Sequence, residues 1–289
     1  MLTGSIIGDI KWQFRYGNMV VKLIFVNVAV FIFFGLLYLA GFIAQSNAIY
    51  ALLYAKLQLP ASLHTLLYQP WSVFTYMFMH AGVMHILFNM LWLYWFGEIF
   101  VLYMGDNKVL PLYILGGLGG AAVFLLSYNL LPVFKPAVDS VVLVGASASV
   151  LAIVFGAATL NPGHEVSLIL IGPVKIIYIA IISLLLDIIN IPYGNAGGYL
   201  AHIGGALTGY LFVTSLRSSF DPVSGFLNLF KRKSAVKVAY KNTDARTSSV
   251  TRSNNEQQKV DEILDKIARS GYDSLSKEER DFLFNYSKK

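Results

Sequence analysis

Runs of apolar residues, separated by short polar stretches, dominate the first three quarters of the chain. A helix that spans a bilayer needs about 20 mostly apolar residues. Six runs approach this length, and we therefore predict an all-α membrane protein with six transmembrane helices. The fourth run is only about 24 Å long as a helix, so one of its ends should lie below the membrane surface and be reached by water through a cavity. The runs cover residues 20–43, 82–103, 109–131, 145–160, 168–190 and 197–216.

The segment between the first two runs, residues 45–79, is apolar but too interrupted to span a bilayer. It is rich in Leu, Tyr and Phe, yet it contains Pro60, His64, Gln69 and Pro70. This composition favours an interfacial segment that lies in the plane of the membrane, and we predict a long first outer loop of that kind.

The C-terminal part of the chain is polar. Residues 217–258 are predicted to form a linker. From 234 to 258, Ser, Thr, Asn, Lys and Arg predominate, and this part is predicted to be disordered. Beyond it, apolar residues recur with helical spacing, Gly271 favours a helix stop, and Ser276 with Glu279 forms the pattern of a capping box. We therefore divide the chain into an N-terminus (1–19), a membrane domain (20–216), the linker (217–258) and a small helical segment (259–289).

Composition and charge support a membrane location. Hydrophobic residues make up 56% of the chain and charged residues 13%, whereas soluble proteins carry about 25% charged residues. The net charge of +6 is concentrated at the two ends, which argues against nucleic-acid binding, and no cysteine is present. If the N-terminus is inside, nine Lys and Arg residues flank the inner side against two outside, which satisfies the positive-inside rule. Both termini are then cytoplasmic, and a bacterial inner membrane is the expected location. The inner residues are Lys11, Arg15, Lys22, Lys108, Lys175, Arg217, Lys231, Arg232 and Lys233, and the outer ones are Lys56 and Lys135.

Several polar side chains occur at membrane depth, where such groups are costly and are candidates for function. Helices two, four and six run from outside to inside, and their polar residues lie near their starts, so these residues should converge in the outer half of the membrane. Asp187, near the end of an outward-running helix, should lie at a similar depth. The other candidates are His80, His85 and Asn89 on the second helix, Gly145, Ser147 and Ser149 on the fourth, and His202, Gly205 and Gly209 on the sixth.

Small residues predict how two of these helices pack. One stripe, at four-residue spacing, contains Ala148, Ala152 and Gly156, and the other contains Ala201, Gly205 and Gly209. Such stripes let membrane helices approach closely. Because Ser147 precedes its stripe by one residue and His202 follows the start of its own by one, we expect the two side chains to lie on the same side of the seam.

A serine beside a histidine supports nucleophilic catalysis. Ser147 becomes a nucleophile if His202 removes its proton. No carboxylate is obviously placed to orient the imidazole, so we predict a Ser–His dyad, with Asp187 as the only candidate for a third member. The start of helix four, with His85 and Asn89, can supply donors to an oxyanion. Ser149 is about 200° around the helix from Ser147 and should face away.

The chain resembles the rhomboid intramembrane serine proteases. The family's H-x-x-x-x-H-x-x-x-N signature matches His80, His85 and Asn89, its G-x-S matches Gly145 and Ser147, and its A-H-x-x-G-x-x-x-G matches Ala201, His202, Gly205 and Gly209. The resemblance implies a six-helix bundle, Ser147 as nucleophile, His202 as base and acid, and an oxyanion hole lined by His85, Asn89 and the serine loop. It also implies that single-span membrane proteins are cleaved near the outer boundary, after lateral entry between helices two and five.

Three positions depart from the family pattern. Ala148 replaces the Gly that commonly follows the serine, Ser72 follows Trp71 where the family has Arg, and Val101 aligns with a Glu that Glu98 can replace. None of these is the predicted nucleophile or base.

Other functions are compatible with parts of the pattern. A catalytically inactive rhomboid-like protein that binds membrane proteins would keep the fold, and a transporter or proton channel could use intramembrane His and Asp, although no internal repeat of the kind common in transporters is evident. His80 is equally compatible with a cavity-lining and with a structural position. Gly205 and Gly209 are helix-packing residues under each of these functions. We expect no cofactor and no metal, contacts with lipid and transmembrane substrates, and a possible cytoplasmic partner for residues 259–289.

Overall fold

The computed structural model describes residues 5–168, 171–216 and 247–286, and it is predominantly helical. The chain divides into two compact units, residues 1–231 and 232–289. Four short β-strands accompany the helices: β1 (Leu59–Pro60), β2 (Val142–Leu143), β3 (Glu165–Leu168) and β4 (Gly172–Lys175). The helices of the first unit are α1 (Ile6–Tyr16), α2 (Met19–Ile43), α3 (Ala48–Leu57), α4 (Leu63–Leu67), α5 (Ser72–Thr75), α6 (Val83–Met104), α7 (Val109–Leu130), α8 (Ser147–Leu160), α9 (Ile176–Asn190) and α10 (Ala196–Leu216).

Four helical segments in the described part of the chain are long and apolar enough to cross a membrane. They are Met19–Ile43, Val83–Met104, Asp106–Leu130 and Ile176–Tyr193. The predicted fourth and sixth helices do not meet the same test. With 14 residues α8 is too short, and α10, although 21 residues long, contains five glycines and a histidine that lower its hydropathy.

The short helix α8 lies at the centre of the bundle. Most of its side chains are buried, and it packs against α6, α7, α9 and α10. A helix enclosed in this way can carry polar residues, because protein rather than lipid surrounds it. Its limited length therefore leaves its N-terminus inside the bundle.

The packing of α8 against α10 confirms the predicted seam between small residues. A Cβ added at Gly205 would overlap the carbonyl oxygen of Ala148, and one at Gly209 would overlap that of Ala152. The assignment of Gly156 to this seam is wrong, because Gly156 faces Leu112 and Phe100. The helix turns by 100° per residue, so a four-residue stripe drifts away from its partner after two turns.

A second set of close contacts, which the sequence stripes did not predict, involves α7. A Cβ at Gly116 would overlap that of Ala152, and one at Gly120 would lie 2.9 Å from the carbonyl oxygen of Ala201. A Cβ added at Gly119 would similarly lie 3.0 Å from the carbonyl oxygen of Gly204. Three helices, α7, α8 and α10, are therefore packed backbone against backbone.

The prediction of a helix from residue 168 is wrong at its beginning. Residues Glu165–Leu168 and Gly172–Lys175 form an antiparallel β-hairpin, with Val166 opposite Val174. Gly172 has a φ of +86°, and Pro173 would disrupt a helix interior because it lacks a backbone N–H. Helix α9 therefore begins at Ile176 and contains 15 residues.

The predicted first outer loop contains short helices and one strand. Helices α3, α4 and α5 are followed by a 3-10 helix at Tyr76–Phe78, and β1 pairs with β2. The Trp71 indole donates a hydrogen bond to the carbonyl oxygen of Lys56 at 2.8 Å. The pairing of β1 with β2 attaches this loop to the segment just before α8, whereas its interfacial location stays a prediction.

Polar contacts join the N-terminus of α2 to the C-terminal part of α6. The Asn18 carboxamide caps α2 by accepting from Val21 N–H at 3.1 Å and donates to Glu98 Oε1 at 2.7 Å. Glu98, considered above as a replacement for the Glu common in the family, therefore holds the first membrane helix against the second.

Within residues 247–286, the second unit contains two α-helices, α11 (Thr247–Ser270) and α12 (Lys277–Tyr286). Gly271, with a φ of +78°, ends α11 as predicted. The capping box is confirmed, because Ser276 Oγ accepts from Glu279 N–H at 3.3 Å and Glu279 Oε2 accepts from Ser276 N–H at 2.7 Å. The disorder predicted for 234–258 is wrong from residue 247 onward, and the part before it lies outside the described residues.

Candidate active site

Ser147 is the first residue of α8, at the recessed end of this central helix. The strand β2 and the turn at Gly145 lead into it, and Gly145 N–H donates to the carbonyl oxygen of Tyr76 at 3.0 Å. Gly145 has a φ of +130°, a conformation that side chains with a Cβ rarely adopt. The backbone that presents Ser147 is therefore anchored on both sides of the turn.

The structure brings Ser147 and His202 into direct contact. The Ser147 hydroxyl lies 2.7 Å from His202 Nε2. Both side chains therefore lie on the same side of the seam between α8 and α10, as their positions beside the two stripes predict. Both helices contribute rigid backbone at this point, because Gly205 of α10 packs on Ala148 of α8. The alcohol and the imidazole are thus held at hydrogen-bonding distance by the packing of two helices.

The expectation that no carboxylate is placed to orient the imidazole is wrong. Asp187 Oδ2 lies 2.8 Å from His202 Nδ1, and both side chains are largely shielded, with 18% and 17% exposure. An ionised carboxylate only accepts hydrogen bonds. If Asp187 accepts from a proton on His202 Nδ1, the lone pair of Nε2 is left for the Ser147 hydroxyl.

Ser149 lies on the opposite side of α8, as predicted. It is fully buried, and its hydroxyl is 3.9 Å from the sulfur of Met77. The nearby Gly117 leaves room for it, since a Cβ there would come within 2.8 Å of Ser149 Oγ. Ser149 therefore belongs to the packing between α7 and α8.

His85 and Asn89 lie on one face of α6 and line the same cavity as Ser147. The Asn89 carboxamide donates to the carbonyl oxygen of His85 at 2.8 Å and retains a second N–H. His85 Nδ1 accepts from Ala81 N–H at 3.4 Å, so the neutral ring carries its proton on Nε2. This nitrogen faces the serine loop, because a Cβ at Gly145 would lie 2.8 Å from it.

His80 has a structural position and does not line the cavity. It precedes α6 by three residues rather than entering it, is only 5% exposed, and packs its ring against that of His85 with 5.2 Å between centroids. Its carbonyl oxygen accepts a hydrogen bond from Tyr54. His80 therefore supports His85 from behind.

The cavity above Ser147 has a volume of about 690 Å³. Its lining is polar at Ser147, His202 and Asp187 and apolar at Met84, Phe88 and Trp92 of α6 and at Leu186 of α9. Sequence analysis did not identify Asn195 and Ser183, which also line it. The φ of +47° at Asn195 fits the preference of Asn for the left-handed region. The Gly-Asn pair before α10 was the signal in the sequence that indicates a turn at this position.

Helix α9 borders the cavity but is loosely held. Of its side chains, Ile176 and Ala180 are buried, and it packs against α8 and α10. Over the described residues, its packing with α6 is much less extensive. The cavity is thus lined by two helices, α6 and α9, that pack little against each other.

Comparison with known proteins agrees with this geometry. A family profile described as Rhomboid domain matches residues 67–219, and a second, described as a family of unknown function (DUF6576), matches residues 248–289. RHOMBOID-like protein 12, mitochondrial, from Arabidopsis thaliana is 31% identical to this chain over 153 residues, which cover 50% of the chain and 44% of the relative. The match thus spans less than half of that relative's length. Because the rhomboid profile covers more than half of the chain and includes every residue of the candidate site, this integral membrane protein belongs to the rhomboid family.

Proposed function

We propose that this protein is an intramembrane serine endopeptidase that cleaves single-span membrane proteins near the outer membrane boundary. The observation that carries the proposal is the 2.7 Å contact between Ser147 Oγ and His202 Nε2 inside a cavity of about 690 Å³. A hydroxyl is a weak nucleophile until an adjacent base accepts its proton, and the contact supplies such a base.

The reaction follows from the positions of the two side chains. Ser147 Oγ attacks the carbonyl carbon of the scissile peptide while its proton passes to His202 Nε2. The tetrahedral intermediate expels the amine, which takes that proton from His202, and an ester to Ser147 forms. A water molecule, deprotonated by His202, then attacks the ester and releases the carboxylic acid, and the proton returns to Ser147.

Donors around Ser147 support an oxyanion hole. The first N–H groups of a helix have no partner within it, and those at the start of α8 lie beside the nucleophile. His85 Nε2–H and the second N–H of the Asn89 carboxamide come from the other side of the cavity. These groups are fixed before the reaction, which is the property that makes such donors effective.

The shape of the cavity favours a transmembrane substrate. Phe88 and Trp92 of α6 line it, and we expect the gap that sparse contact leaves between α6 and α9 to face lipid. The family resemblance implies entry at this gap. A helix that unwinds next to Ser147 would meet water and the nucleophile together, since the recessed start of α8 is polar.

We further propose that α8 and α10 complete a bundle of six membrane helices with both termini in the cytoplasm of a bacterial inner membrane. The Lys and Arg distribution supports the orientation. The burial of α8 and the glycine contacts of α10 explain how these helices fit a membrane domain without high hydropathy.

The alternative is a catalytically inactive rhomboid-like protein that binds membrane clients. The substitution of Ala148 for the common Gly favours it, because the residue after the nucleophile lies in the oxyanion region. Against it, Ala148 fits against Gly120 and Gly205 and leaves the Ser147–His202 contact intact.

Reconstitution of the full chain into liposomes with a panel of fluorescent single-span substrates tests the proposal. We expect cleavage by the wild type and by Ser149→Ala, and none by Ser147→Ala or His202→Ala. A fluorophosphonate probe should label the wild type at Ser147. If the wild type neither cleaves any substrate nor takes up the probe beyond the Ser147→Ala level, the protease proposal is wrong and the binding function is favoured.

A further inference from the structure

We infer that Asp187 is a positioning residue, which extends the pair to a Ser147–His202–Asp187 triad. This inference rests on the proposed proteolytic function and adds to it a third residue from a separate helix. Its basis is the 2.8 Å contact between Asp187 Oδ2 and His202 Nδ1.

The location of Asp187 calls for a functional explanation. It is the only charged residue of α9, which is otherwise almost wholly apolar and is long and hydrophobic enough to cross a membrane. A carboxylate at membrane depth is costly and requires compensation. The contact with His202, at 2.8 Å, supplies such compensation.

The contact determines which ring nitrogen of His202 can act as the base. Neutral imidazole has one N–H and one lone pair, and a free ring would place its proton on either nitrogen. The carboxylate holds the proton on Nδ1, so that Nε2 presents its lone pair to Ser147 Oγ. Asp187 acts through the imidazole, since Ser147 is bonded to the other side of the ring.

The same carboxylate stabilises the charge that develops during the reaction. When His202 takes the proton of Ser147, it becomes a cation between the intermediate and Asp187. The side chains of His202 and Asp187 are mostly shielded from water, where an opposite charge at hydrogen-bonding distance has a larger effect than in bulk solvent. Both effects are lost if the carboxylate is replaced by a neutral group.

A purely structural role would be to attach α9 to α10, and substitutions can distinguish it. Asp187→Asn retains an oxygen that can accept from Nδ1–H, so it keeps the link between the helices but removes the charge. Asp187→Ala removes both, and Asp187→Glu restores a carboxylate on a longer side chain. Asn190→Ala is the matched control, because its amide bonds only the Leu186 carbonyl of its own helix in the described structure.

Cleavage kinetics in liposomes give the first measurement. We expect Asp187→Asn to lower kcat by about 100-fold to 10,000-fold with KM changed little, by analogy with the loss of a residue that orients a general base. Asp187→Glu should recover part of this loss, and Asn190→Ala should match the wild type. An Asp187→Asn enzyme with wild-type kcat would overturn the inference.

Nitrogen NMR of ¹⁵N-histidine-labelled protein gives a second measurement that does not depend on proteolysis. The signals of His202, identified by their loss in His202→Ala, should show a protonated Nδ1 and an unprotonated Nε2 in the wild type. Asp187→Ala should produce a population protonated on Nε2, and an unchanged spectrum would overturn the inference. A wild type without cleavage or probe labelling would instead overturn the proposed function itself, and this inference with it.

Discussion

The backbone of Gly145 lies directly against the imidazole of His85, because a Cβ at position 145 would come within 2.8 Å of both Nε2 and Cε1 of the ring. The glycine also has a φ of +130°. The turn that presents Ser147 and the donor of α6 are thus in contact, and the size of the residue at 145 controls the distance between them.

Gly145→Ala should therefore reduce activity more than it reduces stability. The substitution adds backbone strain of about 1–3 kcal/mol and pushes His85 away from the serine loop. We expect slower fluorophosphonate labelling of Ser147, measured beside the thermal unfolding temperature. Gly172→Ala is the control, since it imposes a positive φ of +86° with no atom within 4 Å of the new Cβ. Equal labelling rates in the two variants would contradict the assigned contact.

Loss of one side-chain donor should slow acylation without removing it. We expect Asn89→Ala and His85→Ala each to lower kcat by about 100-fold, because removal of one oxyanion donor from a serine protease costs about 100-fold to 1,000-fold and the backbone donors of α8 remain. Kinetics in liposomes measure this effect. His64→Ala, in which the ring that packs on Tyr68 in the outer loop is lost, should retain full activity. A wild-type kcat in both site variants would exclude these residues from the oxyanion hole.

The seam between α8 and α10 should tolerate no added carbon. In Gly205→Ala the new Cβ meets the Ala148 carbonyl oxygen, and overpacking of this kind costs about 1–3 kcal/mol. We expect a lower midpoint in SDS-induced unfolding, followed by tryptophan fluorescence. Gly35→Ala on α2, where nothing lies within 4 Å of the added carbon, should leave the midpoint unchanged or raise it. A Gly205→Ala midpoint equal to that of the wild type would mean that the two helices are not in backbone contact.

The proposed orientation can be tested because the chain contains no cysteine. We introduce single cysteines as Asn107→Cys, Asp139→Cys and Lys277→Cys, all at exposed positions. A membrane-impermeant maleimide should label Asp139→Cys in intact cells, and the other two only after permeabilisation. Labelling of Asn107→Cys or Lys277→Cys from outside would show that the orientation is reversed.

The helical hairpin of the second unit should depend on pH through Glu279. Hydrogen bonds from Ser276 N–H and from Lys266, at 2.7 and 2.9 Å, hold the pKa of this carboxyl below its ordinary value. A folded-state pKa below the unfolded one contributes stability above the unfolded value, and this contribution is lost as the pH falls through the lowered pKa. Hydrogen exchange in peptides from 272–286 of the full chain should therefore be faster in Glu279→Gln than in wild type at pH 7. Near pH 3 the two should converge, and equal rates at both pH values would contradict this role.

The side chains that line the cavity above Ser147 belong to residues between Ala81 and His202. We expect a chain that ends near residue 233 to retain the cleavage rate of the full protein, measured in the same liposome assay. A large fall in kcat would place residues 248–289, which match a family of unknown function, in the control of the membrane domain.

Local spacing was enough to predict the pairing of Ser147 with His202, because small residues at four-residue intervals specify which faces of two helices meet. Asp187 was only a candidate for a third member, since α9 is mostly apolar and has no stripe of small residues that defines its neighbour. Only the crossing of α9 over α10, which is a property of the whole bundle, brings the carboxylate to Nδ1. Two other features were missed for similar reasons. The departure of Gly156 from the seam depends on how the helices cross, and the hairpin before Ile176 depends on strand pairing. A hydropathy pattern contains neither.

The alcohol and the imidazole belong to one stiff block, because α8 and α10 touch through their backbones. The carboxylate belongs to a helix anchored by few buried side chains. A polypeptide that inserts between α6 and α9 would displace α9, which carries Asp187, while Ser147 and His202 stay fixed. Insertion of a client protein between α6 and α9 would then be coupled to the contact between Asp187 and His202.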